Sequence, residues 1–166
     1  MTMRTHSKVR ACLLIACLMA LSLISFRAAG TPADTEVAIV VNSSNPVSNL
    51  TLTELRKIYF GDRQYWKGNL PVVLLMRSQG SHERDVVLRV VFEMTEDRYT
   101  KYWVAKVMRA EVSDPPASLY SFGMLQEGVR GNPGAIGYVN ANDLRPGVKV
   151  LRIDGLLPGE SGYSLR

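Results

Sequence analysis

The 166-residue sequence predicts an α/β domain behind a secretory leader. Three observations predict it. Short apolar runs with strand character alternate with segments that carry helix-start signals, which forces sheet and helices into layers. The clearest case is Pro71 to Phe92, where Pro71-Val-Val-Leu-Leu-Met76 reads as a buried strand and a helical pattern from His82 to Phe92 follows at once. Third, the one long apolar stretch stands at the N-terminus and is shorter than the roughly 20 residues that span a bilayer.

Met1 to Arg10 carries Arg4, Lys8 and Arg10 with no acid, Ala11 to Phe26 is apolar apart from Ser22 and Ser25, and Ala28-Ala-Gly30 supplies small residues. That is the grammar of a signal peptide cleaved before Thr31. The expected destination is the periplasm or the exterior. Two alternatives stay open: an uncleaved anchor, and a lipoprotein attached through Cys17 of Leu14-Ile-Ala-Cys17. Arg4, Lys8, Arg10 and Arg27 leave with the segment. Of the 20 basic residues 16 then remain, against 15 acids, a net charge near +1. A basic surface for nucleic acid is not supported. Cys12 and Cys17 leave too, so the domain from Thr31 to Arg166 has no disulfide and no thiolate ligand, and its only histidine is His82.

Glu36 to Asn42 is a strand around Val37-Ala-Ile-Val-Val41, and Ser43 to Leu50 is a turn-rich loop. Thr51-Leu-Thr-Glu54 is a capping box that opens a helix to about Phe60, with Gly61 as its stop. Asp62 to Leu70 is a loop anchored by Trp66, and the strand to Met76 and the helix from His82 follow. Thr95 caps a helix to about Arg109 that carries Tyr99, Tyr102, Trp103 and Met108, and Asp114-Pro-Pro116 breaks the chain. Ser118 to Arg130 reads as a helix weakened by Gly123 and Gly128. Ala135 to Val139 and Val148 to Ile153 are the last strands, and the Gly-, Ser- and Pro-rich Gly155 to Arg166 reads as a loose tail.

Arg77 leaves a strand end and Ser81 stands where a helix begins. A guanidinium, a hydroxyl and the free amides of a helix start would together suit a tetrahedral oxyanion. The plainer alternative is a Ser cap beside a surface Arg. His82 next to Ser81 does not make a nucleophile pair, because adjacent side chains point apart and no third group is evident. The aromatic residues Tyr99, Tyr102 and Trp103 read as packing surface.

Several segments resemble the substrate-binding proteins of phosphate-uptake ABC transporters. They are Leu52-Thr-Glu-Leu-Arg-Lys-Ile-Tyr-Phe-Gly61, Trp66-Lys-Gly68, Arg77-Ser-Gln-Gly-Ser81 and Asn132-Pro-Gly-Ala-Ile-Gly-Tyr-Val139, in matching order and spacing. The resemblance implies a periplasmic-binding-protein-like α/β fold of the second type, here a single small domain with a central mixed sheet flanked by helices. It implies a phosphate or related oxyanion ligand and no enzymatic activity, catalytic residue, metal or cofactor. The ligand residues carried over are Arg77, Gly80 and Ser81, with His82 and Glu83 standing where the family has the Gly-Thr of its Gly-Ser-Gly-Thr. His82 forgoes a glycine's close backbone approach, and Glu83 replaces a hydroxyl donor with a carboxylate. Family members close two lobes over the ligand, whereas this chain resembles a single lobe. The partners implied are an ABC transporter permease or an envelope sensor protein, with a second copy as a source of the missing wall. An alternative is the same fold kept as an interaction module with its ligand binding lost.

Overall fold

The structure, a computed structural model, describes residues 36–166, and the expected leader with its expected cleavage point lies outside the described residues. Strand β1 (Val37–Asn42) is buried along its whole length. After the two-residue β2 (Asn49–Leu50) comes α1 (Leu52–Tyr59). The expected capping box is present: Thr51 Oγ1 accepts the Glu54 N–H at 3.1 Å and Glu54 Oε2 accepts the Thr51 N–H at 2.9 Å. Gly61, at φ 72°, ends that helix. Strand β3 (Val73–Arg77) leads through a loop into α2 (His82–Val87), which widens into a π-helical turn over Leu88–Phe92. Helix α3 (Glu96–Met108) starts from Thr95 as expected. Then come β4 (Ala117–Leu119), α4 (Phe122–Gly131), β5 (Ala135–Asn140), β6 (Val148–Val150) and β7 (Arg152–Ile153).

The main sheet has the order β4-β3-β5-β1-β6 and is mixed: β3 runs parallel to β4 and β5, while β1 is antiparallel to β5 and β6. Strand alternation divides the core between its faces. Val37, Ile39, Val41, Met76, Ile136 and Tyr138 pack with α1, α2 and α3. Ala38, Val40, Leu75, Ala135 and Val139 pack with Leu125 and Val129 of α4. Helix α4 lies close, because a Cβ on Gly137 would stand 2.7 Å from Leu125 Cδ2 and one on Gly128 would stand 2.9 Å from Leu75 Cδ1. Its C-terminal carbonyls on Val129 and Arg130 accept from Asn42 Nδ2 at 3.0 and 2.8 Å. The Trp66 anchor is as expected, with Nε1 donating to Gly134 O at 2.9 Å.

Four elements differ from the sequence reading. Asn49 and Leu50, expected at the end of a loop, form β2. The helix expected over Ser118–Arg130 begins only at Phe122, and Ser118 and Leu119 belong to β4. A three-residue strand has no periodicity of its own, and its parallel pairing with β3 decides its state. The strand expected over Val148–Ile153 divides at Leu151, so that β7 pairs in parallel with β2 in a second small sheet. The tail expected to be loose is packed: Tyr163 and Leu165 are buried, Tyr163 Oη donates to Val37 O at 2.7 Å, and the Val37 N–H donates to Leu165 O at 2.9 Å. Two apolar side chains among the glycines and serines outweigh the composition of that segment.

Candidate functional site

Strands β3 and β4 run parallel with Arg77 beside Leu119, so their C-terminal ends lie level. The chain leaving β3 enters α2 and α3 on one face of the sheet, and the chain leaving β4 enters α4 on the other. Connections that depart to opposite faces from adjacent parallel strands open a crevice at the strand ends, the usual ligand position in open α/β sheets. Arg77 stands at that crevice.

Arg77 is only 8% exposed. Its backbone N–H donates to Tyr138 Oη at 3.0 Å and its Nη1 donates to Leu119 O at 3.0 Å. Nε is buried without an acceptor, and among the described residues no carboxylate forms an ion pair with the guanidinium. A buried cation without a counter-ion is costly, and the cost is relieved when an anion binds.

The other expected residues are distributed around the loop that follows. Gly80 takes φ 79°, with nothing within 4 Å of the place a Cβ would occupy, so the backbone is open to approach there. Ser81 is the N-cap of α2 by backbone conformation, yet its side chain does not cap: Oγ donates to Ser78 O at 3.1 Å. The expected convergence of the Arg77 guanidinium with the Ser81 hydroxyl is therefore absent as a direct contact. His82 is exposed at the first turn of α2. Glu83 is buried in that turn and pairs with neither Arg77 nor Arg84.

Arg84 is instead claimed by Glu96, through Nε to Oε2 and Nη2 to Oε1, both at 2.7 Å. Its Nη1 donates to Arg77 O at 2.7 Å, and its Cζ lies 4.7 Å from the Tyr99 ring centroid. Burial opposes the Arg84 charge, but the Glu96 contacts outweigh it and raise its pKa above the ordinary value. The same hydrogen bonds hold the Glu96 carboxyl below the usual carboxylate range, and burial pushes the Tyr99 hydroxyl up to about 12. This two-toothed pair fixes the backbone at Arg77 from behind. Sequence reading missed it. The signal was Arg84 standing in register with the buried Val87, Leu88 and Val91, a charge on an apolar stripe that demands a partner.

Ser78 and Gln79 also form one end of a cleft of about 690 Å³ along α3, lined by Trp103, Val104, Met108 and Tyr120 among others. Met108 and Tyr120 are each 82% exposed. Such an apolar concavity beside a strand-end crevice was not expected from sequence.

The sequence profile of the PBP superfamily domain matches residues 34–155. Among solved structures, one described as a phosphate ABC transporter substrate-binding protein with bound phosphate, from Clostridium perfringens, is similar at 25% identity and a TM-score of 0.58, over 74% of this chain and 46% of that one. An ABC-type phosphate transport receptor from Vibrio cholerae is similar at 24% identity and a TM-score of 0.61, over 74% of this chain and 48% of that one. PstS from Borrelia burgdorferi shares the fold at 17% identity and a TM-score of 0.58, over 74% of this chain and 49% of that one. The chain thus spans about half the length of the structures it matches.

Proposed function

This chain belongs to the PBP superfamily domain family, and from that membership we propose that it is a solute-binding domain that holds phosphate or a related oxyanion non-covalently at the crevice between β3 and β4. The observation that carries the reading is Arg77, a buried guanidinium with an unpaired Nε and no carboxylate partner at the strand end. Arg pairs tetrahedral oxyanions through parallel N–H donors. Gly80 gives the anion room, and the start of α2, which has no side-chain cap, gives backbone donors. A signal peptide over residues 1–30 would direct this binding to the periplasm or the exterior, where the domain would hand its ligand to an ABC transporter permease or report it to an envelope sensor. A second copy of the chain would supply the facing wall.

Calorimetric titration of phosphate, with sulfate as the control, tests the reading. Saturable binding is expected, and Arg77→Ala should abolish it while the thermal midpoint holds, because Leu119 O still accepts the Ser78 N–H. Unchanged affinity in Arg77→Ala rejects the site. A second reading, an interaction module docking onto an envelope protein, is favoured by the exposed apolar cleft along α3. Absence of binding at millimolar phosphate selects it.

A further inference from the structure

Arg145 lies against the first turn of α4, on the opposite side of the crevice from α2. Its Cζ is 5.0 Å from the Phe122 ring centroid. The guanidinium also fills the space above Gly123, where a Cβ would stand 3.2 Å from Nη1 and 3.6 Å from Cζ. Gln126, fully buried on α4, holds the backbone there: its Oε1 accepts the Arg145 N–H at 2.7 Å and its Nε2 donates to Asp143 O at 2.9 Å. The side chain is exposed, with its guanidinium over the Phe122 ring. Among the described residues, the side chain of Arg145 has no carboxylate partner.

The same helix start faces Arg77. Leu75 meets α4 at Gly128, and strand alternation puts Arg77, two residues on, toward α4 as well. The C-terminus of α4 is tied to Asn42, the last residue of β1, which runs against β5 and so ends where β3 begins. The N-terminus of α4 therefore lies at the end where β3 finishes with Arg77. The Ser121 side chain accepts only the Met124 N–H there, at 3.1 Å, leaving the first amides of a ten-residue helix. Two guanidinium groups and the positive end of a helix dipole thus lie toward the same end of the sheet, and among the described residues no acid is paired to either cation.

We propose that Arg145 is a second anion-binding guanidinium, which with Arg77 and the amides of Phe122 and Gly123 makes the site one for a doubly charged tetrahedral oxyanion. This rests on the reading of Arg77 given above. Phosphate titration into the wild-type protein and into Arg145→Gln, Arg145→Lys, Gly123→Ala and Arg77→Ala tests it, with circular dichroism melts for each. Arg145→Gln should weaken phosphate about tenfold or more without lowering the melting temperature, and Arg145→Lys should keep part of the affinity. Gly123→Ala, which displaces the guanidinium, should weaken binding while keeping or raising the melting temperature. Binding that is lost in Arg77→Ala but unchanged in Arg145→Gln overturns this inference and leaves the function standing. Binding indifferent to Arg77, or no binding at all, overturns both.

Discussion

Single side chains decide the chemistry of this crevice, and Glu83 is the most informative of them. A carboxylate buried in the first turn of α2 would repel an anion at the site proposed at the end of β3. Glu83→Thr should tighten phosphate about fivefold or more in a calorimetric titration, and weaker binding would reject the repulsion. Glu96 contributes to pH behaviour, alongside the exposed Glu54 and Glu111, whose carboxyls are also held low by hydrogen bonds. Its folded pKa is depressed below the ordinary 4.5 by Arg84. The stability this contributes is present above the unfolded value and is lost as pH falls through the folded one. Thermal midpoints measured from about pH 7 down to about pH 2 should fall on that acid limb, and Glu96→Gln should flatten it. The positions of Arg77, Gly80 and Ser81 at a strand end, a turn and a helix start were legible in the sequence because these are local signals. For the Arg84–Glu96 pair, the apolar stripe around Arg84 signals a partner but does not name Glu96, 12 residues on, and the closeness of Arg145 to Gly123 depends on packing alone.

Elements hold these residues in place through close approach. A Cβ at Gly134 would stand 1.9 Å from Pro71 O, a backbone atom that cannot move aside without disturbing the entry to β3. Gly134→Ala should destabilise by about 3 kcal/mol or more in chemical denaturation. Gly137→Ala meets Leu125, a side chain, and should cost about 1–3 kcal/mol. The glycines were visible in the Asn132-Pro-Gly-Ala-Ile-Gly-Tyr-Val139 segment, and helices with explicit caps at Thr51 and Thr95 were placed correctly. Of the strands of two or three residues, β2 and β4 were not, while β6 and β7 were read as one strand. For β2, β4 and β7 the partner strand supplies the reason to be extended, and the partner is distant in sequence.

At the scale of the whole molecule, the described domain is closed by its last residues. Tyr163→Phe removes a buried hydrogen bond to Val37 O and should cost about 0.5–1.5 kcal/mol on urea denaturation. The α/β layering was legible because strands and helices alternate along the chain, whereas the closure was not, since its residues are set among glycines. Strand β1 has an unusual set of neighbours. Its flanking strands β5 and β6 and the Tyr163–Leu165 clasp all lie about a hundred residues or more after it in the sequence. Val37 to Val41 therefore remain unpaired until Ala135 and the residues after it have left the ribosome. A chain built this way completes its native sheet only once its last third is available, so slow folding follows from strand order alone.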